Sequence, residues 1–354
     1  MSKVHNFSAG PSILAPEAFE KAIEAIRNFA GTGLSILEVS HRSKQFEQVM
    51  DDARAIVREL LQVPDTHESL FLQGGASSQF YMIPHNYLGT KAAYLNTGVW
   101  ASGAIKEAKL YGEVIEVASS KEQNFNHIPK NYEIPADADY FHCTSNNTIY
   151  GTQMRSFPKS PVPTICDMSS DIFSRPVQVA DFDLIYAGAQ KNMGPAGVTL
   201  VIFKKDKQPV SVRPIPSMLD YRIHLDKESM YNTPPAFAIL VSLYNLIWVK
   251  ECGGVAEMEK RANARASLLY GEIDRNPLFK GTCAAEDRSH MNVCFVLQDE
   301  NPELEAKFMA ASKEAGISGI KGHRSVGGFR ASMYNALPLE STQALVNVMQ
   351  TFLS

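Results

Sequence analysis

Between residues 44 and 62, Phe46, Val49, Met50, Ala53, Ile56, Val57, Leu60 and Leu61 recur at spacings of three and four, with charges between them. That period predicts an amphipathic helix, ended near Pro64. Downstream the pattern changes to short apolar runs at 69–73, 92–96, 113–117, 140–144, 163–167, 184–187 and 198–203, with a helical pattern at 101–110 between two of them. Alternation of this kind predicts a largely parallel sheet covered by helices. Ligands of such sheets gather outside the carboxyl ends of the strands. Gly74-Gly75, Asn96-Thr97-Gly98, Asn146-Asn147-Thr148, Asp167 and Lys191 all follow strand candidates on that edge.

Residues 209–235 are rich in Pro, Arg and Tyr and have no clear period, which predicts a long excursion of the kind that carries function or an interface. Helical patterns return at 236–252 and at 254–275, the second with Val255, Met258, Ala262, Ala266, Leu269 and Ile273 along one face. It bridges to a remainder with a strand-like run at 291–297 and helices at 302–315 and 341–353. The expected architecture is α/β: a large domain, 16–255, with a mostly parallel sheet flanked by helices, and a smaller α+β C-terminal domain formed by 1–15 with 256–354. No internal repeat or low-complexity tract interrupts it.

A chain of 354 residues can bury a full core without disulfides or metals. Its 34 basic and 38 acidic residues give a net charge of -4 with no long block of one sign, which argues against nucleic acid as a partner. The five cysteines are widely spaced and contain no C-x-x-C pair, so neither a disulfide framework nor a structural zinc site is expected. No metal is expected at all. With no apolar signal region at the start and no stretch of about 20 apolar residues, the expectation is a soluble cytoplasmic protein without membrane partners.

Lys191 stands in Gly188-Ala189-Gln190-Lys191-Asn192-Met193-Gly194-Pro195, just after the apolar run at 184–187. Asp167 ends the run at 163–167. A strand-end amine and a strand-end carboxylate are what a pyridoxal phosphate enzyme needs: one to form an imine, the other to keep the pyridine nitrogen protonated. A solvated surface lysine is the plainer alternative. Gly74-Gly75-Ala76-Ser77-Ser78 follows a strand and opens a helix, so its backbone amides can cradle a phosphate, although it matches neither a Walker loop nor G-x-G-x-x-G. Trp100 can stack on a planar ring or fill a core. Arg42 can clamp a carboxylate, and His323-Arg324 with Arg330, among glycines, suggest a doubly charged anion site or a solvated basic loop.

Together these residues resemble the phosphoserine aminotransferases, a class V branch of the fold-type I pyridoxal phosphate enzymes. The resemblance runs end to end, through Asn6-Phe7-Ser8-Ala9-Gly10-Pro11, Ser40-His41-Arg42-Ser43, Gly74-Gly75-Ala76-Ser77, Asn96-Thr97-Gly98-Val99-Trp100, Asn147-Thr148-Ile149-Tyr150-Gly151, Ser174-Arg175-Pro176, Gln190-Lys191-Asn192, Tyr231-Asn232-Thr233-Pro234-Pro235 and 328–336. It implies that Lys191 binds the cofactor covalently and shuttles the proton, Asp167 pairs with the ring nitrogen, Trp100 stacks on the ring and Thr148 sits by the phenolic oxygen. Ala76, Ser77 and Gln190 would hold the cofactor phosphate, joined from a partner subunit by Asn232 and Thr233. Arg330 and Arg42 would bind substrate carboxylates, and His323 and Arg324, also across the interface, the substrate phosphate.

The implied reaction moves the amino group of L-glutamate to 3-phosphooxypyruvate, giving 2-oxoglutarate and O-phospho-L-serine for serine biosynthesis. The 4-phosphooxy-L-threonine pair of pyridoxine biosynthesis is a possible second substrate, and the implied assembly is a homodimer with shared sites. Two positions depart from the family pattern: Ser77 replaces a frequent arginine, and Ala9 a frequent serine. A related enzyme of unphosphorylated substrates is the nearest rival. A cysteine desulfurase would need a reactive thiol, and Cys252 and Cys283 lie in no motif for it. A dehydrogenase would need a dinucleotide fingerprint that the chain lacks.

Overall fold

The helical period at 44–62 becomes a helix over Lys44–Leu61 in a computed structural model that describes residues 4–206 and 212–352. Ser43 caps it by accepting from the Phe46 amide at 3.3 Å, and Gln62, in the left-handed region at φ 50°, ends it ahead of Pro64. In chain order the helices are α1 (Pro16–Arg27), α2 (Lys44–Leu61), α3 (Gly75–Tyr87), α4 (Val99–Ala108), α5 (Tyr221–Asp226), α6 (Ala236–Glu251), α7 (Gly254–Arg275), α8 (Pro302–Glu314) and α9 (Leu339–Thr351). The strands are β1 (His5–Asn6), β2 (His67–Leu72), β3 (Lys91–Asn96), β4 (Glu113–Ser119), β5 (Phe141–Thr144), β6 (Asn146–Asn147), β7 (Thr152–Gln153), β8 (Thr164–Asp167), β9 (Leu184–Gly188), β10 (Thr199–Lys204), β11 (Phe279–Gly281), β12 (Asn292–Leu297), β13 (Ile317–Ser318) and β14 (Phe329–Ser332).

Seven strands form one sheet in the order β2-β10-β9-β8-β5-β3-β4. All neighbours are parallel except β10, which runs antiparallel to both β2 and β9. The cause is the link from β9 to β10: it holds a turn and no helix, and a parallel return needs a crossover. Both faces are covered. Phe46, Met50 and Val57 of α2 and Ile239, Leu243 and Leu246 of α6 pack on one, and α3 and α4 cover Tyr94, Tyr140 and Tyr186 on the other. Each large apolar side chain so buried contributes about 1.5–3 kcal/mol. Burial on nearly every side explains why α6 is apolar all round; among the described residues no single helix is long and apolar enough to cross a membrane.

A second core lies beyond the sheet, where β11, β12 and β14 form an antiparallel three-stranded sheet backed by α7, α8 and α9. Phe279, Phe295, Phe308 and Phe329 pack edge to face at its centre, joined by Phe7 from the N-terminal segment. That segment is held there by β1, which pairs parallel with β13. Within the described residues of the excursion at 209–235 lie a 3-10 turn at Ser217–Leu219 and α5, capped by Asp220; residues 209–211 fall outside the described residues.

Candidate active site

A cavity of about 350 Å³ opens at the carboxyl ends of the parallel strands. Its walls are the glycine turn after β2, the start of α4, the turn after β6, the end of β8 and the loop after β9, with Ala9-Gly10, His323 and Arg330 closing it from the second core.

Lys191 stands on the loop three residues past β9, a loop tied at several points. The Ala189 amide donates to Val198 O at 3.0 Å, and the Gly194 amide returns to Ala189 O at 2.7 Å. From the N-terminal segment, Ser12 Oγ donates to Lys191 O at 2.5 Å and the Ser12 amide to Gln190 O at 3.0 Å. Asn245 of α6 donates to both Asn192 O and Met193 O. The amine is therefore fixed on a rigid backbone. Burial pulls its pKa down to about 8, with Asp167 and Asp171 opposing the shift and Arg330 adding to it.

Asp167 ends β8. Ser169 holds one of its oxygens twice, donating to Oδ1 from Oγ at 2.6 Å and from its amide at 2.9 Å, while Ser169 Oγ accepts from the Gly188 amide at 3.1 Å. Oδ2 accepts from no described residue. Burial raises the carboxyl pKa against the opposing pull of Lys191 and Ser169. A carboxylate with one oxygen locked and one unpaired fits a protonated ring nitrogen.

Trp100 lies in the first turn of α4, and its indole donates to Thr148 Oγ1 at 3.0 Å, which fixes the ring plane. Lys191 Nζ lies 5.9 Å from the centre of that ring. Arg330 Nη1 donates to Thr148 O at 3.1 Å, and its buried Nε has no partner among the described residues. At the opposite wall, Gly74 precedes α3 at φ 92° and no side chain caps the helix. A Cβ there would lie 1.8 Å from Ser78 Oγ, so only glycine allows the turn that presents the first amides of α3. Uncapped amides at a helix start are an anion cradle. Pyridoxal phosphate thus fits at every end: amine, ring acceptor, stacking face and phosphate cradle.

Of the residues singled out in the sequence, Ala76, Ser77, Trp100, Thr148, Asp167, Gln190, Lys191, His323 and Arg330 line this one cavity. Four do not. Arg42 and Arg324 are exposed outside it, Asn232 lines a separate small hollow beside Pro234, and Thr233 O accepts from Gln73 at 2.8 Å. His323 Nδ1 pairs with Ser325 Oγ at 2.7 Å, and burial, followed by Arg330 and Arg324, lowers its pKa. Ser169, which also lines the cavity, is not marked out by the sequence. Its only signal is the spacing Asp-x-Ser after a strand, which fits an ordinary Asx turn as well.

The sequence profile of the family Aminotransferase class-V matches residues 4–345. A phosphoserine aminotransferase of Flavobacterium psychrophilum is 63% identical over 352 residues, covering 98% of each chain. One of Bacteroides thetaiotaomicron is 59% identical over 350 residues, covering 99% of each. Among solved structures, the phosphoserine aminotransferase of Bacillus circulans subsp. alkalophilus superposes with a TM-score of 0.95 at 45% identity, over 99% of this chain and 98% of that one. A phosphoserine aminotransferase of Trichomonas vaginalis with bound pyridoxal phosphate gives 0.94 at 39% identity, over 98% and 100%. The chain therefore belongs to the class-V aminotransferase family.

Proposed function

We propose that the chain is a phosphoserine aminotransferase that moves the amino group of L-glutamate to 3-phosphooxypyruvate, yielding 2-oxoglutarate and O-phospho-L-serine. What carries this reading is the meeting of Lys191, the unpaired oxygen of Asp167, the uncapped start of α3 and Arg330 in one cavity, in a chain so similar to enzymes of that name.

Pyridoxal phosphate, when bound, supplies an electrophilic carbon for amines and a sink for charge at the substrate α-carbon. The protein's residues do the rest. Asp167 Oδ2 would accept from the ring nitrogen, Trp100 would cover a ring face, Thr148 would stand by the phenolic oxygen, and the amides of Ala76 and Ser77 with Gln190 would hold the phosphate. Lys191 Nζ, a weakly basic amine, would take the proton from the donor's α-carbon and give it up two bonds away, beyond the amino nitrogen. The second half-reaction runs the same transfer in reverse. Arg330, its Nη1 fixed by Thr148, offers Nε and Nη2 to the substrate α-carboxylate.

The substrate phosphate falls to His323 at the cavity wall and to Arg324 beside it, with Arg42 for the second carboxylate. We read the assembly as a homodimer in which Asn232 and Thr233 of one subunit reach the cofactor phosphate of the other. The exposure of Leu37 (66%) and Tyr231 (41%), near Arg42 and Asn232 in sequence, supports this reading. We divide the chain at about residues 15 and 255 into a large and a small domain, and place the enzyme in the cytoplasm, where its five free cysteines stay reduced. The 4-phosphooxy-L-threonine pair, which shares the phosphate and carboxylate, belongs to the same reading. Comparing O-phospho-L-serine with L-alanine as amino donors tests the assignment. A large preference for the phosphorylated donor is expected, and equal rates would assign the chain to unphosphorylated substrates.

A further inference from the structure

Arg265, on α7, is 1% exposed and carries its charge into the wall of a second cavity, about 480 Å³, between the N-terminal segment, α6, α7 and the loop before α9. Its Nη1 donates to Leu337 O at 2.9 Å. Nε and Nη2 donate to no described residue, and no described carboxylate lies within ion-pair distance. These two nitrogens form one edge of the guanidinium, the edge that takes a carboxylate by two parallel hydrogen bonds.

Elsewhere the fold supplies such partners. Arg175 meets Asp171 at 3.3 Å and Arg288 meets Asp274 at 2.6 Å. Arg261, one turn from Arg265, is held by Glu257 and lies over the Trp248 ring at 6.0 Å. Burial, followed by the charge of Arg261, lowers the Arg265 pKa only to about 10, so the group stays charged at neutral pH. A buried charge without a counter-charge is costly to the folded state.

The rest of the cavity narrows the ligand. Asn335 Oδ1, also buried, accepts from no described residue, and Glu17 and Glu340 line the same space. Ile13, Trp248 and Leu339 supply apolar wall. We propose that this cavity binds an apolar α-amino acid, its carboxylate on Nε and Nη2 of Arg265, its ammonium toward Asn335 Oδ1 and the two glutamates, and its side chain against Trp248. The cavity shares no lining residue with that of Lys191.

Trp100 and Trp248 are the only tryptophans, one in each cavity, so a Trp100→Phe holoenzyme reports on this one alone. Titration with L-leucine is expected to change the Trp248 emission saturably, with weaker binding of 4-methylpentanoate, which lacks the amine, and none of isoamylamine, which lacks the carboxylate. Arg265→Met is expected to weaken leucine binding about tenfold or more, the worth of a charge-assisted pair. Should that variant not fold, Ala264→Phe, which narrows the mouth, gives the same loss. A crystal grown with leucine is expected to show its carboxylate on the Arg265 edge. Unsaturable emission, leucine affinity in both variants unchanged from that of the parent, or a crystal with Glu17, Glu340 or water alone on that edge would overturn the proposal.

Discussion

Ser169 Oγ and the Ser169 amide both donate to Asp167 Oδ1, at 2.6 and 2.9 Å, and leave Oδ2 without a partner among the described residues. The carboxylate is thereby oriented, and both contacts favour its charged form against the burial that opposes it.

Ser169→Ala removes the shorter contact, so the Asp167 pKa rises further above the ordinary carboxylate value. Because the ring nitrogen needs an ionised partner, the acid limb of the pH–rate profile is expected to move to higher pH, with about a tenfold loss in kcat where Asp167 is partly protonated. An unmoved acid limb would remove Ser169 from this role.

The neutral form of Lys191 attacks a carbonyl, and burial sets its pKa at about 8. Uptake of pyridoxal phosphate by the apoprotein is expected to quicken as pH rises toward 8 and to level off above it, well before an ordinary lysine would. A rate still climbing through pH 10 contradicts the lowered pKa. Stopped-flow absorbance measures it.

Gly74→Ala forces a side chain into the left-handed turn and against Ser78 Oγ. A cost of about 1–3 kcal/mol to stability is expected. The displaced amides are expected to weaken cofactor binding at least about tenfold, read by equilibrium dialysis. Unchanged cofactor affinity would exclude the start of α3 from the phosphate cradle.

If Asn232 serves the partner's site, Asn232→Ala and Lys191→Ala chains complement each other. Unfolding and refolding a 1:1 mixture is expected to restore roughly a quarter of wild-type activity, since half the dimers are mixed and each has one intact site. Activity no greater than the sum of the two variants refolded alone would place Asn232 in its own subunit's site or in none.

Arg324→Ala is expected to raise KM for O-phospho-L-serine about tenfold or more and to leave the KM for L-glutamate within a few fold. Equal effects on both substrates would detach Arg324 from the phosphate.

Much of this was legible in the chain. The three-and-four period of 44–62 and the Gly-bounded pattern of 254–275 give α2 and α7 almost to the residue, because helix faces and caps are written locally. Lys191 and Asp167 could be placed on one edge since each closes an apolar run. The direction of β10 was not legible: a strand buried on both faces has the same composition whichever way it runs. The strands β11 and β14 were missed because each is only three or four residues long and alternation needs more. Ser169 and Arg265 escaped for a different reason. What matters in them is an oxygen and a guanidinium edge, fixed by partners far off in sequence such as Gly188 and Leu337.

If Lys191 passes a proton within one cavity to move an amino group, a single turnover of the holoenzyme with O-phospho-L-serine and no acceptor reads that transfer in isolation. The prediction is one 3-phosphooxypyruvate formed per active site, with the amino group retained on the enzyme, and none from Lys191→Ala. Continuous release of ammonia, or equal product from Lys191→Ala, would contradict it.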